Sequence, residues 1–190
     1  ADLESWSGRI ANLLVTLGVT PGDRIAVQVD KSPEAIFLYL ACLRVGAAYL
    51  PLNTAYQQAE IEYFLTDAEP RVAVCRPGTE SWVGDCARKA GTPHVLTLGG
   101  AQDGTLVEQA RNLSPDFATV ARRRDDLAAI LYTSGTTGRS KGAMLTHWNL
   151  ASNALTLHKV WHFQPGDVLL HALPIFHTHG LFVATNCILL

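Results

Sequence analysis

The stretch Tyr132-Thr133-Ser134-Gly135-Thr136-Thr137-Gly138-Arg139-Ser140-Lys141-Gly142 decides how the rest of the chain is read. Apart from Tyr132, every residue in it is small, hydroxylated, basic or glycine. An apolar run, Leu127-Ala128-Ala129-Ile130-Leu131, leads in, and a helical pattern starts near His147. Strand, small polar loop and helix in that order form a common setting for phosphate. Gly135, Gly138 and Gly142 let the backbone approach an anion and turn sharply. The hydroxyls of Thr133, Ser134, Thr136 and Thr137, with the loop N–H groups, are donors for phosphate oxygens. Arg139 and Lys141 supply positive charge.

The spacing excludes two common phosphate loops. A Walker loop needs G-x-x-x-x-G-K-[ST], whereas here Arg139 and Ser140 separate Gly138 from Lys141 and Gly142 follows. The Rossmann G-x-G-x-x-G is absent from the stretch as well. An ordinary surface turn of this composition is the competing reading. Specific residue types at every position, directly after an apolar strand, weigh against it.

A chain of 190 residues can bury about 70% of its unfolded surface. With 48% hydrophobic and 17% charged residues it reads as globular α/β. A net charge of −2 leaves no footprint for nucleic acid. No apolar run reaches the ~18 residues of a membrane span, and no signal peptide is visible. Cys42, Cys75, Cys86 and Cys187 form no C-x-x-C pair, so buried free thiols in a reducing, cytoplasmic setting are expected. The chain begins without Met and closes on Ile188-Leu189-Leu190, which reads as a piece of a longer protein.

Residues 2–17 carry Leu3, Trp6, Ile10, Leu13, Leu14 and Leu17 on one helical face. Residues 24–29 alternate as a half-buried strand does. Ser32-Pro33-Glu34 opens a helix to Val45 that closes at Gly46. Further strands are expected over 47–52, 71–75 and 94–98, and helices over 59–67, 79–89 and 105–112. This alternation predicts an α/β fold of βα units with a mainly parallel sheet. Residues 1–113 form a first α/β portion, polar 114–126 a linker with Arg122-Arg123-Arg124 solvated, and 127–190 a second portion.

Past the loop, a helix from Thr146 or His147 runs to about Trp161, and an apolar strand over 168–173 ends in Pro174-Ile175-Phe176-His177-Thr178-His179-Gly180. An apolar helix is expected from Leu181. Strand ends leading into loops are where open α/β sheets place ligands. His177 and His179 read as pocket wall; a His-x-His metal site is the rival, without nearby carboxylate or Cys partners. His171 reads as structural, and His158 and His162 as surface or core-edge residues.

The loop resembles the signature of the adenylate-forming superfamily of acyl-CoA synthetases and other AMP-binding enzymes, roughly [YF]-[TS]-S-G-[TS]-T-G-x-P-K-G. Ser140 stands where Pro is usual, which would leave Lys141 more mobile. The resemblance extends to Leu17-Gly18-Val19, Pro21-Gly22-Asp23-Arg24, Arg44 through Asn53, Glu60-Ile61 and Leu65-Thr66-Asp67-Ala68, all given packing and turn roles. Asp167 through Asn186 is similar to malonyl-CoA synthetases, with His177-Thr178-His179-Gly180-Leu181-Phe182-Val183-Ala184 as the distinguishing run.

The resemblance implies part of the large N-terminal domain of an ATP-dependent acid–CoA ligase. A small carboxylate, here malonate, becomes an acyl-adenylate and then an acyl-CoA. ATP, Mg²⁺ and coenzyme A as co-substrate are implied, together with the rest of the protein's own chain as partner. Thr133, Ser134, Gly135, Thr136, Thr137, Gly138 and Lys141 would hold the phosphates, with Lys141 and Thr136 catalytic. His177 and His179 would line the acyl pocket, and His179 would meet the second carboxylate. The family's adenine, ribose, magnesium and C-terminal lysine segments are not found, so these residues alone are expected to be inactive. Another acyl-CoA synthetase, a peptide-synthetase adenylation domain and a non-catalytic nucleotide-binding module remain as alternatives.

Overall fold

The computed structural model describes residues 2–100, 102–133 and 139–190. Its centre is a six-stranded sheet. The first portion contributes α1 (Asp2–Thr16), β1 (Arg24–Gln28), α2 (Pro33–Val45), β2 (Ala48–Pro51), α3 (Gln58–Ala68), β3 (Val72–Cys75), α4 (Glu80–Ala90), β4 (His94–Thr97) and α5 (Thr105–Ala110). Then come β5 (Leu127–Thr133), β6 (Lys141–Thr146) and α6 (His147–Val160). The strand order is β4-β3-β1-β2-β5-β6, parallel except for the antiparallel β5–β6 pair.

Local chemistry explains the helix ends. The Ser32 hydroxyl accepts the Ala35 N–H at 3.2 Å, Pro33 sits in the first turn, and Gly46 ends α2 at φ 77°. The Glu60 carboxylate accepts the Gln57 N–H at 3.0 Å and caps α3. Alternating strand residues feed two cores. Ile25, Val27 and Tyr49 pack with α1, α2 and α5, while Ala26, Leu50 and Ala73 pack with α3 and α4. Helices therefore cover both faces, as a parallel sheet requires.

The sequence reading runs strand, polar loop and helix; the structure adds a strand, β6, that it does not expect between loop and helix. β5 runs out and β6 runs back as an antiparallel pair, with Thr133 opposite Lys141. Helix α6 begins at His147, as expected, where the Thr146 hydroxyl accepts the Asn149 N–H at 3.2 Å. Gly142 pairs with Tyr132, and a Cβ there would come within 2.9 Å of the Ile130 side chain. A close-paired return strand therefore takes residues that a polar loop had seemed to claim.

Residues 114–126 lie against α1 and α2. Asn12 donates to the Ser114 and Asp116 carbonyls, Arg44 donates to the Phe117 carbonyl, and the Val120 N–H reaches the Arg44 carbonyl at 2.8 Å. Two of the three arginines expected to be solvated are engaged. Arg122 pairs with Asp126 at 3.2 Å, and Arg124 lies over the Trp148 ring at 4.1 Å.

The expected strand over 168–173 is not formed. No described strand lies alongside to complete its ladder, and Val168 and Leu170 are 94% and 92% exposed. The Lys31 ammonium instead donates to the His171 and Leu173 carbonyls at 2.6 and 3.1 Å. The next helix starts earlier than expected, as a π-helical stretch His179–Thr185 that continues into α7 (Asn186–Leu189). The Tyr39 hydroxyl donates to the Asn186 side-chain oxygen at 3.2 Å and ties this end to α2. No described helix is long and apolar enough to cross a membrane.

Candidate functional site

Thr133 ends β5 and Lys141 begins β6, so the hairpin presents both at the carboxyl end of β5. Both are exposed, and Lys141 forms no ion pair among the described residues. Ser134, Gly135, Thr136, Thr137 and Gly138 lie outside the described residues. Of the two expected catalytic residues, only Lys141 is therefore placed.

Helix α3 grips both ends of the hairpin loop. On the β5 side, the Tyr132 hydroxyl donates to the Asp67 carboxylate at 2.5 Å, and its ring lies 4.4 Å from that of Phe64. On the β6 side, the Tyr63 hydroxyl donates to the Ser140 carbonyl at 2.8 Å, and the Arg139 guanidinium sits 5.5 Å from the Tyr63 ring centre. Burial pushes the Tyr132 phenol up, and its bond to Asp67 adds to the shift. The phenol therefore stays a donor at neutral pH. Tyr63 and Asp67 were missed as site residues. A signal was available: they stand four apart on one helix face, and a half-buried tyrosine such as Tyr132 needs a partner for its hydroxyl.

His177 and His179 are both exposed. The His177 ring contacts Phe176 at 4.6 Å, and the His177 carbonyl accepts the Leu181 N–H at 3.0 Å. The backbone is already helical at Thr178, with φ −47° and ψ −49°. Residues two apart on a helix are turned by about 200°. The extended segment that would have set both on one side is therefore not formed.

Of the histidines near the C-terminal segment, it is His171, not His177 or His179, that borders a cavity. A 560 Å³ cleft lies between the start of α2 and the C-terminal segment, bordered by Lys31, Ile36, Leu169, His171, Ile175 and Ile188. The His171 Nε2 lies 2.9 Å from the Gly180 carbonyl and 3.2 Å from the Thr185 hydroxyl. Gly180 has no space for a side chain, since a Cβ would lie 2.0 Å from the Pro174 carbonyl oxygen.

Cys42, Cys75, Cys86 and Cys187 are buried free thiols. Burial pushes the Cys75 thiol up to about 11, so it carries no charge at neutral pH. No group of three or more His, Cys, Asp or Glu that could hold a metal ion occurs among the described residues.

Comparison with known proteins agrees with this layout. The family model for AMP-binding enzymes matches residues 1–190. The crystal structure of MatB from Rhodopseudomonas palustris superposes with a TM-score of 0.96 at 57% identity, covering 100% of this chain and 37% of that one. The ATP-bound form of MatB matches at 58% identity with the same TM-score and coverage. The oxalate–CoA ligase of Arabidopsis thaliana is 34% identical over 185 residues, 95% of this chain and 36% of its own. A probable CoA ligase, CCL9, of Humulus lupulus is 33% identical over 185 residues, 95% of this chain and 35% of its own. The chain thus spans about a third of the length of the relatives it matches.

Proposed function

Because the chain belongs to the AMP-binding enzyme family, we propose that it works within an ATP-dependent acid–CoA ligase whose acid is malonate. One observation carries the choice of acid. Identity to MatB, a malonyl-CoA synthetase, is 57% over the whole chain, against 33–34% for the two plant ligases. The run from His177 to Ala184 supports the same substrate.

In the proposed reaction a malonate carboxylate oxygen attacks the α-phosphorus of ATP. The bond to the β-phosphate oxygen breaks, and pyrophosphate leaves. The sulfur of coenzyme A then attacks the acyl carbon, and AMP leaves. Lys141, at the head of β6, balances charge growing on the departing phosphates. Thr133 and the hydroxyls and amides at 134–138 hold the phosphates in place. Mg²⁺ would accompany ATP and shield its phosphates; the described residues offer it no ligand cluster. His179 donates to the second carboxylate of malonate, which would otherwise lie uncompensated against apolar wall. Adenine, ribose and coenzyme A are held by sequence outside the third of the relatives' length spanned here, so residues 1–190 alone complete no cycle.

ATP–pyrophosphate exchange on the full-length protein tests this, with malonate, oxalate, acetate and amino acids offered in turn. Malonate should support the fastest exchange and yield malonyl-CoA. Exchange with an amino acid instead would mark a peptide-synthetase domain, and none at all a nucleotide-binding module.

A further inference from the structure

We propose that α3 is the positioning element of the nucleotide loop: Tyr63 and Asp67 hold its two ends and thereby set ATP affinity and adenylation rate without touching ATP. This rests on the ligase reading above and assigns a role to Asp67, which the family resemblance marks only for packing and turns, and to Tyr63, which it does not mark.

Each end of the loop has its own anchor. Tyr132, the penultimate residue of β5, is fixed through its hydroxyl to Asp67 and through its ring to Phe64. Ser140, directly before Lys141, is fixed through its carbonyl to the Tyr63 hydroxyl. Arg139, beside it, lies over the same tyrosine ring. Tyr63 and Asp67 stand four apart, on one face of one helix. The spacing between the strand ends is thereby referred to a single rigid body. Transition-state contacts demand such placement, and a displacement of about 1 Å can cost about 100-fold in rate.

These polar groups are not what fastens α3 to the fold. Ile61, Phe64 and Leu65, each 1% exposed, already do that in the core beneath. Asp67 is exposed and Tyr63 only half-buried. Removing the Tyr63 hydroxyl or the Asp67 carboxylate should therefore leave the fold intact and loosen the loop alone.

The test uses the full-length protein with Tyr63→Phe, Asp67→Ala and Asp67→Asn. ATP binding is measured by calorimetry without a carboxylate. Adenylation is followed in a single turnover, and thioester formation from supplied malonyl-adenylate. Tyr63→Phe and Asp67→Ala should each weaken ATP binding and slow adenylation by about 3- to 10-fold, the scale of one hydrogen bond. Thioester formation and Tm should stay near wild type. Asp67→Asn, which still offers an acceptor to Tyr132, should restore most of the loss. Unchanged ATP affinity in Tyr63→Phe and Asp67→Ala would overturn the proposal, as would an equal fall in both half-reactions with a lowered Tm. Should Asp67→Ala fail to fold, Tyr63→Phe decides, because it keeps the ring. A wild type that binds ATP beside unaltered variants refutes the clamp alone; a wild type that binds none refutes the ligase reading and the clamp with it.

Discussion

Thr133 and Lys141 face each other across the β5–β6 hairpin as the last pair before the loop. Lys141 is thus held by a ladder at its backbone, while its side chain forms no ion pair among the described residues. In the full-length enzyme, Lys141→Ala should slow adenylate formation by about 100- to 1,000-fold, or about 2.7–4 kcal/mol, the scale of one lost transition-state donor. Thioester formation should change far less, since pyrophosphate departs only in the first step. Single-turnover rates of the two halves check this, and an equal loss in both would remove Lys141 from its assigned role.

The chain turns helical at Thr178, between His177 and His179, so their variants should behave differently. His179→Ala should lower kcat/KM for malonate against acetate by about 5- to 150-fold, from the 1–3 kcal/mol of a stranded polar partner. His177→Ala should leave that ratio near wild type. A constant ratio in His179→Ala would move acid selectivity to other residues.

Two glycines should respond to alanine with opposite signs. At Gly180 the new methyl would lie 2.0 Å from the Pro174 carbonyl oxygen, and the backbone must give way. A loss of about 1–3 kcal/mol is expected. Gly84 lies within α4, and a methyl there would meet no atom within 4 Å, so Gly84→Ala should stabilise by about 0.5–1 kcal/mol. Urea unfolding of both variants gives the comparison.

Stability should fall on the alkaline side. Burial raises the Cys75 thiol from an ordinary 9.0 to about 11, and it also raises Tyr39 and Tyr49 from 10.0. Above pH 9 the unfolded chain loses these protons while the folded chain keeps them, so unfolding is favoured as pH rises. The contribution is complete below pH 9 and, for Cys75, lost by about pH 11. Chemical denaturation at pH 7, 9 and 10.5 should give decreasing midpoints.

Where local chemistry decides the conformation, the sequence was legible. Ser32-Pro33-Glu34 and Gly46 bracket α2 with signals a few residues long, and the alternation in β1 marks its two cores. The family signature singled out Thr133 and Lys141, which the structure sets opposite each other at the ends of β5 and β6. Legibility failed where distant partners decide. The β6 segment Lys141–Thr146 becomes a strand because β5 is beside it. The apolar residues 168–173 looked like a strand, but an apolar run does not reveal whether a neighbour is there to pair with it. Pro174 favoured an extended continuation, yet Gly180 packs on the Pro174 carbonyl, and His171 and Thr185 meet the Gly180 carbonyl, which winds the chain at His179 instead. The Tyr63 and Asp67 contacts span 77 and 65 residues, beyond any pattern read along the chain.

Ser140 joins the hairpin anchor through its peptide oxygen, a group that every amino acid carries. The chemical requirement of that contact therefore falls on Tyr63, which must supply a hydroxyl, and not on the side chain at 140. A lineage can exchange the family's usual proline for serine there and trade intrinsic stiffness for a new hydroxyl, while the chain stays docked at the same point. Serine in place of the signature's proline thus leaves this docking point unchanged, and the brace for it lies on another element of the fold.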